Sequence, residues 1–349
     1  MLDTGAAWLD DFWYVAFPGR ALRPGRTLAK TLFGEPLLFG RTAEGQVFAL
    51  RDICPHRGIP LSHGRFDGRE VACRYHGWRF APDGRCTAIP SLVPGQDFDC
   101  GRIKVQSYAL AETQGLVWIF RPGKAGGPPP GPPPQMPGFA ADARPAFDVL
   151  RHFPCGADHA IYGLMDPTHA AFVHTSWWWK KDAAKLRQKT KHFEPAPLGW
   201  RMKRHRLPPE NRMYRPFGRV VTTEISYQLP GLRIEQVQSE RHTLVGLTAI
   251  TPLDAKSSEV HQVFWWTPKW MTLVRPLLRH FAGSFLDQDR DVVVLQQEGL
   301  RHNPALLLID DADTQAKWYF RVKREWLRAA EEGRAFENPL REKTLTWKS

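Results

Sequence analysis

Two short segments of the chain each offer one thiol and one imidazole: Cys54-Pro55-His56-Arg57-Gly58 and Cys73-Arg74-Tyr75-His76-Gly77, with sixteen residues between His56 and Cys73. Four such donors act together only if both segments are tight loops that meet at one inorganic centre. Equal numbers of Cys and His suit either a tetrahedral zinc or a 2Fe-2S cluster in which two histidines hold one iron and two cysteines the other. Gly58, Gly64, Gly77 and Gly84 allow loops whose backbone N–H groups point at bridging sulfides, which a closed zinc site does not require. The surroundings therefore favour iron.

The run extends through Trp78, Phe80, Asp83-Gly84, Cys86 and Ile89-Pro90, and in that form it closely resembles the Rieske domain of Rieske non-haem iron oxygenases. The resemblance implies that Cys54 and Cys73 bind one iron, and His56 and His76 the other. Neutral histidine ligands raise the reduction potential, to roughly −150 to +300 mV against about −400 mV for an all-cysteine plant-type cluster. His63, Cys86, Cys100 and Cys155 lie outside the two boxes and are read as ordinary buried or loop residues.

A second constellation, Asp166-Pro167-Thr168-His169 through His174, has the form D-x2-H-x4-H. On a continuous helix the two histidines point about 140° apart, so the helix must bend or unwind for both imidazoles to meet one metal. Pro167 is a cause of such irregularity. Two histidines and a carboxylate on one face of Fe(II) leave positions open for dioxygen and substrate. The segment from Phe285 to Gln297 resembles the helix that carries the late carboxylate ligand of the family, which implies Asp289 as the third ligand, with Asp287 and Asp291 as neighbouring rivals. Helical spacing places Phe285, Val292 and Leu295 toward the core on the side of Asp289. By the same resemblance Asp166 bridges His169 to His76 of the partner subunit, which implies a head-to-tail homotrimer. Gly163 stands where several relatives of that family have asparagine. The run Trp177-Trp178-Trp179 is read first as packing and only second as a substrate wall.

The chain has 349 residues, 42% of them apolar, which suggests two domains with separate cores. A spacer rich in proline and glycine at 125–137 cannot be helix or central strand. It divides a Rieske domain at 1–124 from a catalytic domain at 139–349, with a linker at 125–138. Strand-like runs at 13–17, 35–41, 46–52, 69–72 and 116–120 suggest a small β-sandwich. Beyond the spacer a helix is expected at 157–174, then an antiparallel sheet of strands at 220–229, 232–239, 243–252 and 259–266, then helices at 284–299 and 311–332. The fold class is α+β, with a helix-grip-like catalytic domain implied by the resemblance.

Five unspaced cysteines argue against a disulfide framework and for a reducing cytoplasm. The first eleven residues carry three acids and no basic region before an apolar run, so no signal peptide is expected. No apolar run approaches the length that spans a bilayer. The net charge is +12, but ten basic residues against two acids fall between Lys180 and Arg206. That stretch suits a solvated face or a docking surface for an acidic reductase or ferredoxin at least as well as it suits nucleic acid.

The resemblance implies a terminal oxygenase α subunit similar to vanillate demethylase, phthalate oxygenase and pheophorbide oxygenase. Its expected cofactors are a Rieske 2Fe-2S cluster and mononuclear Fe(II), reduced by NADH through a separate flavoprotein reductase or ferredoxin. The expected reaction uses O2 to hydroxylate or oxidatively demethylate a ring-containing substrate, aromatic or polycyclic and sterol-like. The rival expectation is a Rieske electron carrier whose second domain binds without catalysis, and a third is a zinc-based nucleic-acid module.

Overall fold

The computed structural model describes residues 6–123, 126–176, 186–207 and 216–349. They form two compact units, one spanning Asp10–Pro134 and the other Met1–Leu9 with Gln135–Ser349.

The first unit contains β1 (Phe12–Pro18), β2 (Arg26–Leu32), β3 (Glu35–Arg41), β4 (Val47–Arg51), β5 (Arg65–Phe66), β6 (Val71–Ala72), β7 (Arg79–Phe80), β8 (Cys86–Ala88), β9 (Ser107–Tyr108), β10 (Leu110–Thr113) and β11 (Leu116–Arg121). They pair as antiparallel sheets ordered β1-β11-β10, β2-β3-β4-β9 and β5-β6-β7-β8. β1 reads Phe-Trp-Tyr-Val-Ala-Phe-Pro and is buried throughout, as suits aromatic and β-branched residues that pack on both faces. Arg41 ties β3 to β10 by a bidentate pair with Glu112, at 2.7 and 2.9 Å. β2 buries only Leu32 fully, and β5 to β9 are two or three residues long. Neither kind of strand carries a readable alternation, and the sequence expectation omits β2, β5 and β7–β9 for that reason; it also omits the four-residue β10.

The second unit contains β12 (Phe147–Phe153), α1 (Ala157–Met165), α2 (Ala170–Val173), β13 (Gln188–Ala196), β14 (Gly199–Arg206), β15 (Thr222–Gln228), β16 (Leu232–Gln238), β17 (Thr243–Asp254), β18 (Ser257–Trp266), α3 (Arg275–Leu300), α4 (Thr314–Glu331) and β19 (Lys343–Lys348). The expected four-stranded sheet is eight-stranded, ordered β12-β18-β17-β16-β15-β14-β13-β19. β13 and β14 lie in the basic stretch, where Lys and Arg mask the strand alternation. Three of their six basic residues pair with glutamates: Arg201 and Lys203 with Glu194, Lys203 also with Glu342, and Arg204 with Glu224. Residues 177–185, including the tryptophan run and the first basic residues, lie outside the described residues.

The helices differ from expectation at two places. The helix expected at 157–174 is two, α1 and the single turn α2. α3 begins nine residues before the expected start, with Pro276 in its first turn, where a missing N–H costs nothing. Its buried residues are Gly283, Leu286, Asp289 and Val293; Val292 and Leu295, expected in the core on the side of Asp289, are 44% and 64% exposed and instead share with Asp289 the wall of the cavity described below.

α1 is anchored to α4 by a buried charge. Lys323 Nζ, on a side chain 1% exposed, donates to both carboxylate oxygens of Asp158 at 2.7 and 2.8 Å and to the Ala6 carbonyl at 2.6 Å. Tyr319 Oη also donates to Asp158 at 2.6 Å. Removing one partner of such a pair strands the other without compensation. Lys323→Met is expected to lower the stability of the second unit by about 3 kcal/mol, read as a shifted midpoint in chemical denaturation.

Candidate metal centres

The two Cys/His loops of the first unit are built alike. Gly58 N donates to the Cys54 carbonyl at 2.9 Å and Cys54 N to the Ile59 carbonyl at 2.9 Å; Gly77 N donates to Cys73 at 3.0 Å and Cys73 N to Trp78 at 2.8 Å. Each turn therefore closes four and five residues after its cysteine. Gly58 and Gly77 occupy matching positions at φ +75° and +72°, a conformation that penalises any side chain with a Cβ. The second loop is the connection between β6 and β7. The first follows β4 and is held by Asp52, whose carboxylate accepts from Ser62 N at 2.7 Å and Ser62 Oγ at 2.6 Å.

Cys54 and Cys73 are 1% and 4% exposed. Burial pushes the Cys54 thiol up to about 11, and the neighbouring Cys73 adds to the rise. Two buried thiols side by side ionise only when a cation meets them. The His56 and His76 rings face one another at 4.5 Å, and both Nδ1 atoms are buried without a hydrogen-bond partner among the described residues. Trp78 stacks on His56 at 4.5 Å and 3°, fixing that ring from the opposite loop. Burial, then the facing His76, holds the His56 imidazole below its ordinary value, which keeps it neutral. Paired buried thiols and paired unpartnered imidazoles suit a Rieske cluster.

The second centre begins where α1 stops. Asp166 precedes a proline and so leaves the helical region, at φ −62° and ψ 121°. Its Oδ1 accepts from Thr168 N at 2.7 Å and Thr168 Oγ1 at 2.6 Å, closing a local turn. That turn restarts the chain as α2, with His169 at its entry and His174 just past its end at φ −88° and ψ 89°. The break removes the angular mismatch between the two histidines. His169 Nε2 and His174 Nε2 lie 3.5 and 3.4 Å from Asp289 Oδ1.

Donor atoms of His169, His174 and Asp289 all fall within 4.8 Å of one another. Atoms each about 2.1 Å from a shared ion are separated by roughly 3 to 3.5 Å, so the spacing suits a metal better than direct hydrogen bonds. His174 is fully buried and the Asp289 side chain 8% exposed. Asp289 Oδ2 is buried without a hydrogen-bond partner among the described residues, and burial pushes the carboxyl up to about 7. Two imidazoles and one carboxylate form the donor set of a non-haem Fe(II) site.

The rivals are engaged elsewhere. Arg151 grips Asp287 with two hydrogen bonds, at 2.7 and 2.9 Å, and Asp291 is exposed beside Arg290. Asp166 Oδ2 lies 3.7 Å from His169 Nδ1. Phe285, one turn before Asp289, stacks on His174 at 3.4 Å. Gln288 accepts from Thr175 N at 2.9 Å and donates to Ser176 Oγ at 2.8 Å, clamping the chain just after His174. The sequence expectation assigned no role to Asp52, Ser62, Arg151 or Gln288, because each acts through a contact with a residue distant in the chain. Only Phe285 left a local signal, its spacing of four from Asp289.

A cavity of about 500 Å³ opens beside the triad, with Asp166, His169 and Asp289 in its wall. Phe153, Leu164, Val173 and Val293 contribute apolar lining.

Comparison with known proteins agrees with both halves of this architecture. The Rieske [2Fe-2S] domain family matches residues 12–109, and the vanillate O-demethylase oxygenase C-terminal domain family matches residues 155–328. The fold is thus a Rieske domain followed by an oxygenase C-terminal domain. The chain belongs to the Rieske non-haem iron oxygenases, a family that implies both a Rieske cluster and a mononuclear iron.

Chloroplastic chlorophyllide a oxygenase of Chlamydomonas reinhardtii is 37% identical over 172 residues, 48% of this chain and 25% of that protein. The oxygenase component of dicamba O-demethylase from Stenotrophomonas maltophilia is 33% identical over 165 residues, 46% of each. The matched segments thus span less than half the length of these curated relatives. The crystal structure of dicamba monooxygenase bound to dicamba superposes with a TM-score of 0.71 at 24% identity, covering 93% of this chain and 100% of that one. That likeness is one of fold. No helix among the described residues is long and apolar enough to cross a membrane.

Asp52→Ala removes both acceptors of Ser62 and frees the loop that carries Cys54 and His56. The expected result is a loss of about 2 kcal/mol in the first unit, with a lower cluster content per chain measured by iron and acid-labile sulfide.

Proposed function

We propose that the protein is the terminal oxygenase component of a multi-protein system. It takes electrons from NADH through a separate ferredoxin or flavoprotein reductase and uses O2 to hydroxylate or oxidatively demethylate a ring-containing substrate. The observation that carries this reading is the buried His169, His174 and Asp289 cluster beside an apolar cavity, in a chain that also carries the paired Cys/His loops. An electron carrier alone has no use for the first. The unit Asp10–Pro134 serves as the electron-receiving domain and the unit Gln135–Ser349 with Met1–Leu9 as the catalytic domain, in place of the expected bounds 1–124, 125–138 and 139–349. Five free cysteines suit work in a reducing cytoplasm.

Cys54, Cys73, His56 and His76 would hold the cluster, and His169, His174 and Asp289 the mononuclear iron. When bound, the cluster supplies single electrons and the iron supplies the site of dioxygen activation. The chain does the rest. His169, His174 and Asp289 occupy one side of the site and leave the cavity side for substrate. Phe285 and Gln288 fix the position of His174, and Asp166 places a carboxylate 3.7 Å from His169 Nδ1. The apolar lining excludes water from the reacting carbon. Asp166, 28% exposed, also suits a bridge to His76 of the partner subunit in a head-to-tail homotrimer, a short hydrogen-bonded path between the two centres.

Reconstituted protein is expected to hold about three irons per chain, two in the cluster and one in the triad; two irons and no substrate-dependent NADH oxidation would leave only the electron carrier. Asp289→Ala is expected to hold two irons, keep the visible spectrum of the cluster and lose product formation. Normal turnover in that variant would remove Asp289 from the ligand set. Asp166→Asn is expected to keep both metals while slowing substrate-triggered oxidation of the reduced cluster at least tenfold. An unchanged single-turnover rate would remove the bridge.

A further inference from the structure

The cavity beside the triad has a distinct chemical character. Its volume, about 500 Å³, falls in the range that encloses a small organic ligand. Its ionisable lining residues are Asp166, His169, Asp289, Asp313 and Tyr162, and no Lys or Arg is present among the described residues that line it. Away from the metal that the triad would hold, a carboxylate or sulfonate in the cavity would lose its hydration, find no Lys or Arg counter-ion among the described residues and face Asp313.

The wall also holds one neutral polar pair. Gln296 Nε2 donates to Tyr162 Oη at 3.0 Å. That bond occupies a lone pair of the phenol and leaves its O–H without an acceptor among the described residues. Gln296 Oε1 is likewise left without a donor. Tyr162 is held between His159 and Phe320, at ring distances of 5.3 and 6.1 Å, and burial raises its pKa, so the proton stays in place. Gln296 follows Asp289 by seven residues on α3, about 10 Å along the helix axis. The pair thus stands two turns away from the triad, with apolar wall between.

We infer that this cavity takes an uncharged, mainly apolar ring compound, and that Tyr162 and Gln296 are specificity-determining residues that bind a carbonyl or hydroxyl at the end of the molecule remote from the oxidised carbon. This rests on the oxygenase reading for the identity of the cavity as a substrate site. Tyr162 donates to a carbonyl, while Gln296 Oε1 accepts from a hydroxyl. Neither role needs a charge on the ligand.

The test measures binding by isothermal titration on the iron-loaded full chain without reductase, so that it stands apart from turnover. Three bicyclic methoxy compounds are compared: 6-methoxy-1-tetralone, 6-methoxy-2-naphthoate and 2-methoxynaphthalene. The tetralone is expected to bind at least about tenfold more tightly than the naphthoate. Tyr162→Phe is expected to weaken the tetralone about three- to tenfold and to leave 2-methoxynaphthalene unchanged, which separates recognition from a general loss of packing. Gln296→Lys, which places a cation in the wall, is expected to improve binding of the naphthoate. Tighter binding of the naphthoate to the unaltered protein, equal losses for tetralone and 2-methoxynaphthalene in Tyr162→Phe, or binding of none of the three overturns the inference. Tetralone binding that responds to Tyr162→Phe, in a protein that never oxidises any ring compound with a reductase present, instead counts against the oxygenase reading.

Discussion

A carboxylate taken out of water demands a partner, and Asp289 has been taken almost completely out of water. It sits on the buried face of α3, its Oδ2 has no hydrogen-bond donor among the described residues, and its Oδ1 faces two imidazole nitrogens at about the separation of ligands around an ion. Burial alone raises its pKa to about 7. A divalent cation reverses that penalty, because charge placed at the centre of the three donors stabilises the ionised carboxylate and the neutral imidazoles together. The stacking of Phe285, the clamp of Gln288 and the grip of Arg151 on Asp287 follow from the same need. They hold α3 and the α2 segment in the one arrangement that keeps the three donors together.

Both centres are made where regular structure is interrupted. In the second unit the interruption is a proline that forces Asp166 out of the helix, and the turn that follows sets His169 and His174 at the two ends of a single helical turn. In the first unit it is two turns with the same closure, each beginning at a cysteine and passing through a glycine with positive φ. Irregular backbone frees side-chain directions that a helix or strand would dictate, and the neighbouring sheets keep that freedom from becoming disorder. The placement of Trp78 flat on His56 is one consequence: a residue of one loop orients a donor on the other.

The signals that could be read from the chain were short-range ones. The Cys/His boxes, the D-x2-H-x4-H spacing, the proline break and the strands β1, β3, β4, β11 and β15–β18 all depend on residues within a few positions of each other. Some strands leave no signal because they are too short to show a period, as in β5 and β7 to β9, and others are disguised by composition, as in β13 and β14 with their lysines and arginines; β2, β10, β12 and β19 also lie outside the sequence expectation. The apolar spacing of α3 puts Val292 and Leu295 on the side of Asp289, where they line the cavity rather than a packed core. Asp289 was singled out by likeness to a family helix, and the geometry shows why its neighbours at 287 and 291 are otherwise engaged.

The sequence by itself determined which donors exist and how the backbone would bend to free them, because proline, glycine and Asx turns act through local sterics and local hydrogen bonds. Tertiary structure decided which of those donors meet. His174 and Asp289 are 115 residues apart in the chain, and only the packing of α3 against β12 and the α2 segment brings them within reach. The same packing makes the cavity and selects its wall, for a cavity is the space left over when distant elements pack, and no stretch of sequence encodes it alone.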